Sequence, residues 1–262
     1  MEKTENAGKM FRQLVQILDT LRGEGGCPWD REQDEKSITN YFLEEVYEAV
    51  DAISAGDAVS LAEELGDVLM EVVFLSKIYE EKEKFSISDV LEGINQKMIR
   101  RHPHVFARRS IETSKKIFDE WQRQKRTEKG RQSLFDGMAE CFPSLLEAFQ
   151  IGRRVSSYGF DWSQPLDALQ KVKEEISELE DAIRARKEDE ILNEIGDMFF
   201  SMANVSRHLG VNPEVALKHA NKKFIRRFGF IEKRLKERGK ELGHVTLEEM
   251  DEIWEEAKDK IK

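Results

Sequence analysis

The stretch Leu43-Glu44-Glu45-Val46-Tyr47-Glu48, followed by Glu63-Glu64-Leu65-Gly66-Asp67, returns as Lys173-Glu174-Glu175-Ile176-Ser177-Glu178 and Asn193-Glu194-Ile195-Gly196-Asp197. All five acids of the pattern Glu-Glu-x-x-Glu … Glu-x-x-Asp are displaced by the same 130 residues. Each set is predicted to lie on an αα-hairpin whose turn falls near Gly56 in the first copy and near Arg186 in the second. Glu45 and Asp67 are equidistant from Gly56, as are Glu48 and Glu64; Glu175 and Asp197, and Glu178 and Glu194, stand in the same way about Arg186. Antiparallel helices therefore place two carboxylate pairs level across each seam, and the i, i+3 spacing keeps them on one face of each helix. Converging carboxylates repel by up to about 4 kcal/mol per pair at about 4 Å and an effective dielectric of about 20. A bound cation removes that conflict, and all-oxygen ligation favours Mg²⁺ or Mn²⁺ over zinc.

Solvated helix faces are the ordinary explanation of Glu-rich helices. Here the acids duplicate at identical spacing, pair across the hairpin and border the apolar stripe, which favours a metal site in each half. The candidate metal ligands are Glu45, Glu48, Glu64 and Asp67, and Glu175, Glu178, Glu194 and Asp197. Glu44 and Glu174 stand next to them as candidates for orienting or deprotonating a water. A di-iron bundle would need two Glu-x-x-His motifs. Only Glu241-x-x-His244 fits, outside both acid sets and with Gly243 inside it.

Helical periodicity runs through the chain. Phe11, Leu14, Leu18 and Leu21 recur at helical spacing before Gly23-Glu24-Gly25-Gly26 breaks the helix. Leu43, Val46, Val50 and Ile53 form an apolar stripe on the next helix; Leu61, Leu65, Val68, Leu69 and Val72 line its partner, with Asp57 as the N-cap. Further helices are predicted over Ser86–Arg101, Pro143–Ser156, Pro165–Arg184, Glu188–Leu209, Pro213–Arg227 and Thr246–Lys260, and no run of strands. The repeat also links Trp29-Asp30 with Phe160-Asp161-Trp162. It links Asn95-x-Lys97-x-x-Arg100-Arg101 with Asn221-x-Lys223-x-x-Arg226-Arg227, and Trp121 with Trp254. The fold class is all-α: two tandem helical-bundle domains from an internal repeat, over residues 1–122 and 137–262, joined by a basic, polar linker at 123–136. The tryptophans are assigned to core packing by default.

The chain has 262 residues, 39% hydrophobic and 36% charged, with 15 Phe and 4 Trp, enough for a substantial core. A net charge of −10 argues against generic duplex nucleic-acid binding, which depends on Lys and Arg neutralising phosphates. It leaves room for a polyphosphate ligand, because a divalent ion and a local basic cluster reverse the sign locally. Beside the acid sets, Lys97, Arg100 and Arg101, and Lys223, Arg226 and Arg227, become candidates for phosphate contacts. The alternative for both clusters is a basic helix end complementing the helix dipole. Two cysteines without a disulfide framework, no apolar leader and no spanning segment lead to the expectation of a soluble cytoplasmic protein with no membrane partner. No Gly-x-x-x-x-Gly-Lys loop or Gly-x-Ser-x-Gly elbow is present.

The acid signature, Cys27-Pro28-Trp29-Asp30 with Glu32-Gln33, and Arg100-Arg101-His102-Pro103-His104-Val105-Phe106 together resemble the MazG nucleoside triphosphate pyrophosphohydrolases over nearly the whole chain. The resemblance implies Mg²⁺-dependent cleavage of NTP to NMP and diphosphate, in nucleotide-pool housekeeping, on bundles that form homodimers or higher homo-oligomers. Carried over residue by residue, it implies metal ligation by the same eight acids. It also implies nucleotide contacts from Lys171, Lys223, Arg227 and Trp254. The acid signature alone also fits all-α dUTPases and phosphoribosyl-ATP pyrophosphohydrolases, and a non-catalytic Mg²⁺- and nucleotide-binding protein is a further alternative. The halves differ at three informative positions: Tyr41 becomes Lys171, Leu43 becomes Lys173, and Glu71 becomes Ser201. Two lysines beside the second acid set favour that half as the catalytic one.

Overall fold

The computed structural model describes residues 2–106 and 133–261. Its described residues are helical, with no strand, in agreement with the all-α expectation. The expected linker segment 123–132 and Trp121 lie outside the described residues. The chain divides into two compact units, Met1–Trp121 and Gln122–Lys262.

In the first unit the helices are α1 (Glu2–Arg22), α2 (Pro28–Glu32), α3 (Glu35–Ala55), α4 (Ala58–Glu81), α5 (Ile87–Arg101) and α6 (Pro103–Phe106). The second unit contains α7 (Ser144–Ser156), α8 (Pro165–Ala185), α9 (Glu188–His208), α10 (Pro213–Glu237) and α11 (Leu247–Lys260). A single 3₁₀ turn at Leu242–His244 precedes α11. Helix α10 runs ten residues past the expected end at Arg227, because Ile231 and Leu235 extend its apolar stripe and are buried against Ile253 of α11.

The two acidic hairpins turn in the same way. Gly56 takes φ 69°; its N–H donates to Ile53 O at 3.1 Å, and the Asp57 N–H donates to Ala52 O at 3.1 Å. Arg186 takes φ 54°, its N–H donates to Ile183 O at 3.1 Å, and the Lys187 N–H donates to Ala182 O at 3.2 Å. These are left-handed caps that satisfy the last carbonyls of α3 and α8 at a constant offset of 130 residues. The following helices start differently. Asp57 accepts from Val59 N–H and Ser60 N–H, at 3.0 and 3.2 Å, whereas Lys187 offers α9 no side-chain cap.

Leu18, Ile38, Val73, Phe74 and Ile78 form the core of the first unit, packed with Phe11, Leu14 and Leu21 of α1. In the second unit, Ala168, Val172 and Val205 pack between α8 and α9, and Ile231, Leu235 and Ile253 between α10 and α11. Helix α7 approaches α9 at Gly152, where an added Cβ would stand 2.2 Å from Asn204 Oδ1. The apolar stripe of the first hairpin is partly bare within the chain: Leu43, Ile53, Leu65 and Leu69 are 50, 62, 54 and 42% exposed. Both helices carry apolar residues on two faces, and the face with Ile38, Ala49, Val73 and Phe74 is the one buried within the chain. Trp29 is also no core residue, being more than half exposed beside Tyr41.

Candidate functional site

The turn geometry brings three acids together in each hairpin. Glu45 from α3 meets Glu64 and Asp67 from α4, and each offers a carboxylate oxygen within 4.8 Å of the others. Glu175 from α8 meets Glu194 and Asp197 from α9 in the same relation. Glu48 and Glu178, the expected fourth ligands, stand outside these sets and are exposed. Each lies one turn nearer the hairpin end than Glu45 or Glu175 and is open to solvent. Glu48 is still close enough for its charge to act on Glu45 and Glu64.

Loss of water and mutual repulsion disturb these groups together. Burial raises the Glu45 carboxyl, reinforced by Asp67, Glu48 and Glu64. Burial also raises Glu64, with Glu48, Glu63 and Asp67 adding to it, and Glu194, with Glu178, Glu175 and Asp197 adding. A further acid, which the sequence reading noted only as a difference between the halves, lies in the first hairpin. Glu71, one turn beyond Asp67 on α4, is 4% exposed and its Oε2 is buried with no hydrogen-bond partner. Burial pushes its carboxyl up to about 7, with the charges of Glu45 and Asp67 adding to the shift.

The second hairpin has a different solution. Lys171, where the first half has Tyr41, places its Nζ 2.8 Å from Glu174 and 2.7 Å from Glu175. Those two carboxylates, Glu174 first, hold the ammonium charged well above the usual lysine range. Thus Glu174 is engaged by a lysine, and Lys171 acts as a resident counter-ion to the acid cluster. Lys173 is exposed on the same helix. Glu44, the first-half counterpart of Glu174, is also exposed.

The other expected phosphate contacts are placed as follows. Lys97 is half-buried, Arg100 exposed and Arg101 buried at the C-terminal end of α5. In the second unit Arg227 donates from Nε and Nη2 to Ile261 O at 3.0 and 2.9 Å, and its guanidinium lies 6.0 Å from the Trp254 ring centre. Trp254 packs against Phe224 as well, so Arg227 and Trp254 are joined at the α10–α11 contact. Lys223 is half-buried and Arg226 exposed on α10. A cavity of about 580 Å³ lies along the first hairpin, lined by Phe42, Val72, Tyr79 and Phe85 among others, but it includes no triad acid. The converging carboxylates, not this apolar groove, therefore carry the chemical signal.

The donor set fits a hard divalent cation. It consists of carboxylate oxygens, and in the first half one further buried carboxylate oxygen, Glu71 Oε2, lacks a hydrogen-bond partner among the described residues. Comparison with known proteins points the same way. The family model for the MazG nucleotide pyrophosphohydrolase domain matches twice, at residues 33–106 and 163–229, spanning both acidic hairpins. The chain is 40% identical to the nucleoside triphosphate pyrophosphohydrolase/pyrophosphatase MazG of Thermotoga maritima, over 97% of this chain and 98% of the relative. It is 40% identical to the nucleoside triphosphate pyrophosphohydrolase of Escherichia coli K12, over 94% of this chain and 96% of that protein. YabN of Bacillus subtilis is 39% identical over 95% of this chain, which covers 52% of YabN.

Proposed function

The chain belongs to the MazG family of nucleotide pyrophosphohydrolases and acts as a nucleoside triphosphate pyrophosphohydrolase, and we propose that its two acidic hairpins carry that reaction. The observation that supports this is the duplicated triad: three carboxylates from two helices converge at the same register about two equivalent turns. We take the reaction as NTP and water to NMP and diphosphate, with Mg²⁺ as the cation and Mn²⁺ as a substitute. The holders would be Glu45, Glu64 and Asp67 with Glu48, and Glu175, Glu194 and Asp197 with Glu178. When bound, the cation supplies Lewis-acid polarisation and charge neutralisation at the phosphate oxygens.

The chain's own residues do the rest. In the second half Lys171 passes from its acid partners to the phosphates of an incoming nucleotide, with Lys173 beside it. That transfer frees Glu174 and Glu175, Glu174 to accept a proton from the attacking water and Glu175 to complete the acid set. Lys223, Arg226, Arg227 and Trp254 would then stabilise the departing diphosphate and the nucleoside, as Lys97, Arg100 and Arg101 would in the first half. Release of Lys171 by substrate makes the second half the principal catalytic site.

The exposed residues of the hairpins support a homodimer. Leu43, Ile53, Leu65 and Leu69 in the first, and Ile183, Leu192 and Phe199 in the second, leave apolar helix faces bare. A second copy of the chain is the occupant we assign to them. The domain limits 1–122 and 137–262 and a cytoplasmic location belong to the same reading. Two free cysteines support that location, and among the described residues no helix is long and apolar enough to cross a membrane.

Phosphorus NMR of the purified protein with NTP and Mg²⁺ tests the assignment. NMP and diphosphate should appear, stop with EDTA and resume with added Mg²⁺. NDP and orthophosphate as primary products would reject α-phosphorus attack. No turnover across a panel of nucleotides would favour the binding-only alternative.

A further inference from the structure

We propose that Glu71 is an additional ligand for a divalent cation, found in the first half only, so that the first hairpin binds the cation without nucleotide while the second requires nucleotide. The inference rests on the reading of the acid sets as cation sites. Three observations carry it. First, Glu71 lies one helical turn from Asp67 on α4, near enough to the triad for the charges of Glu45 and Asp67 to act on it. Second, it is 4% exposed and its Oε2 has no hydrogen-bond partner, an expensive arrangement in a finished protein interior and a natural one for an oxygen awaiting a cation. Third, the two halves are balanced in opposite ways.

The first half has the triad Glu45, Glu64 and Asp67, with Glu48 and Glu71 one turn away along the helices and Tyr41 where the second half has a lysine. The second has Glu175, Glu194 and Asp197, with Glu178 one turn away, and Lys171 is already paired with Glu175 at 2.7 Å. Ser201 replaces Glu71 there, is equally buried and brings no charge. A cation entering the second set must displace the Lys171 ammonium, whereas the first half has the uncharged Tyr41 at that position. Affinity of a carboxylate site for divalent ions follows ligand charge and number. The first site should therefore fill in the absence of nucleotide. In the second, the phosphates of the substrate first draw Lys171 away.

Mn²⁺ titration of the full-length protein without nucleotide, followed by electron paramagnetic resonance of the free ion, tests this. Wild-type protein should show one tight class of site per chain. Glu71→Gln should weaken that class at least about tenfold. Glu175→Gln, in the other half, should leave it in place. Tyr41→Lys installs the second half's counter-ion at an exposed position and should weaken the tight class even if Glu71→Gln folds poorly, which circular dichroism reports. A wild-type titration with no tight class, an unchanged Glu71→Gln and Tyr41→Lys pair, or loss of the tight class in Glu175→Gln would each overturn the proposal. Diphosphate release from NTP is measured on the same samples. Its absence with tight Mn²⁺ binding intact would overturn the catalytic reading and leave the Glu71 assignment standing.

Discussion

Glu71→Gln should make the metal-free protein more stable at neutral and alkaline pH. The amide keeps the volume of the side chain and removes the charge. Glu71 is 4% exposed, and its carboxyl is raised from 4.5 to about 7, first by burial and then by Glu45 and Asp67. A folded-state value above the unfolded one means that the folded chain holds its proton longer. The stability this contributes is complete below about pH 4.5 and disappears as pH rises through about 7. At about 1.4 kcal/mol for each tenfold change in proton affinity, the rise from 4.5 to about 7 corresponds to about 3 kcal/mol. Glu45 and Glu64 are raised as well and act in the same sense. Urea unfolding in EDTA between pH 4.5 and 8, followed by circular dichroism, reads the effect. With a slope of about 2 kcal/mol per molar, the wild-type midpoint for the first unit should fall by about 1.5 M relative to Glu71→Gln across that range. If the two proteins respond to pH in parallel, Glu71 is not desolvated in the folded state and the argument fails.

Three other outcomes are expected. Glu178→Gln should lower NTP hydrolysis at least about tenfold, and Glu48→Gln appreciably less, in steady-state diphosphate release from variants shown to be folded; the reverse order would make the first half the principal catalytic site. Arg186→Gly should stabilise the second unit by about 0.5–1 kcal/mol, and Gly56→Ala should destabilise the first by about 1 kcal/mol in urea titrations, because both positions are left-handed. Gly152→Ala should destabilise the second unit by about 1–3 kcal/mol, since the new methyl meets Asn204, which is buried and accepts from Arg207 Nε at 3.2 Å; a neutral result would show that Asn204 can move aside.

The hairpins were legible because their signals are local and repeated. Identical acid spacing located the turns, and Gly56 and Arg186 are where the backbone turns left-handed. The side of each helix that is buried was harder to read. Leu43 and Leu65 share helices with Ile38 and Val73, and periodicity reports apolar faces without saying which one another element covers. Glu48 and Glu178 were expected beside the other acids because level spacing describes backbones. Which side-chain oxygens meet is set by side-chain conformation, which that spacing does not encode. Glu71 was visible only as a mismatch with Ser201; its burial depends on contacts around α4 that no sequence interval encodes. Lys171 was expected as a partner of phosphate, yet its present partners are Glu174 and Glu175.

That last pair of observations changes how the repeat is understood. Two copies of one hairpin face the same electrostatic problem, a set of carboxylates brought together by the turn. The second copy relieves it with Lys171 from within the chain. The first copy has Tyr41 in place of that lysine and adds Glu71, whose buried Oε2 has no hydrogen-bond partner among the described residues. An internal ammonium lowers the energy of the empty site and so weakens its attraction for a free cation, whereas a buried extra carboxylate does the opposite. The substitutions Tyr41 to Lys171 and Glu71 to Ser201 therefore act in the same direction. On the proposal above, they would together separate a cation-retaining half from one whose charges rearrange when a triphosphate arrives.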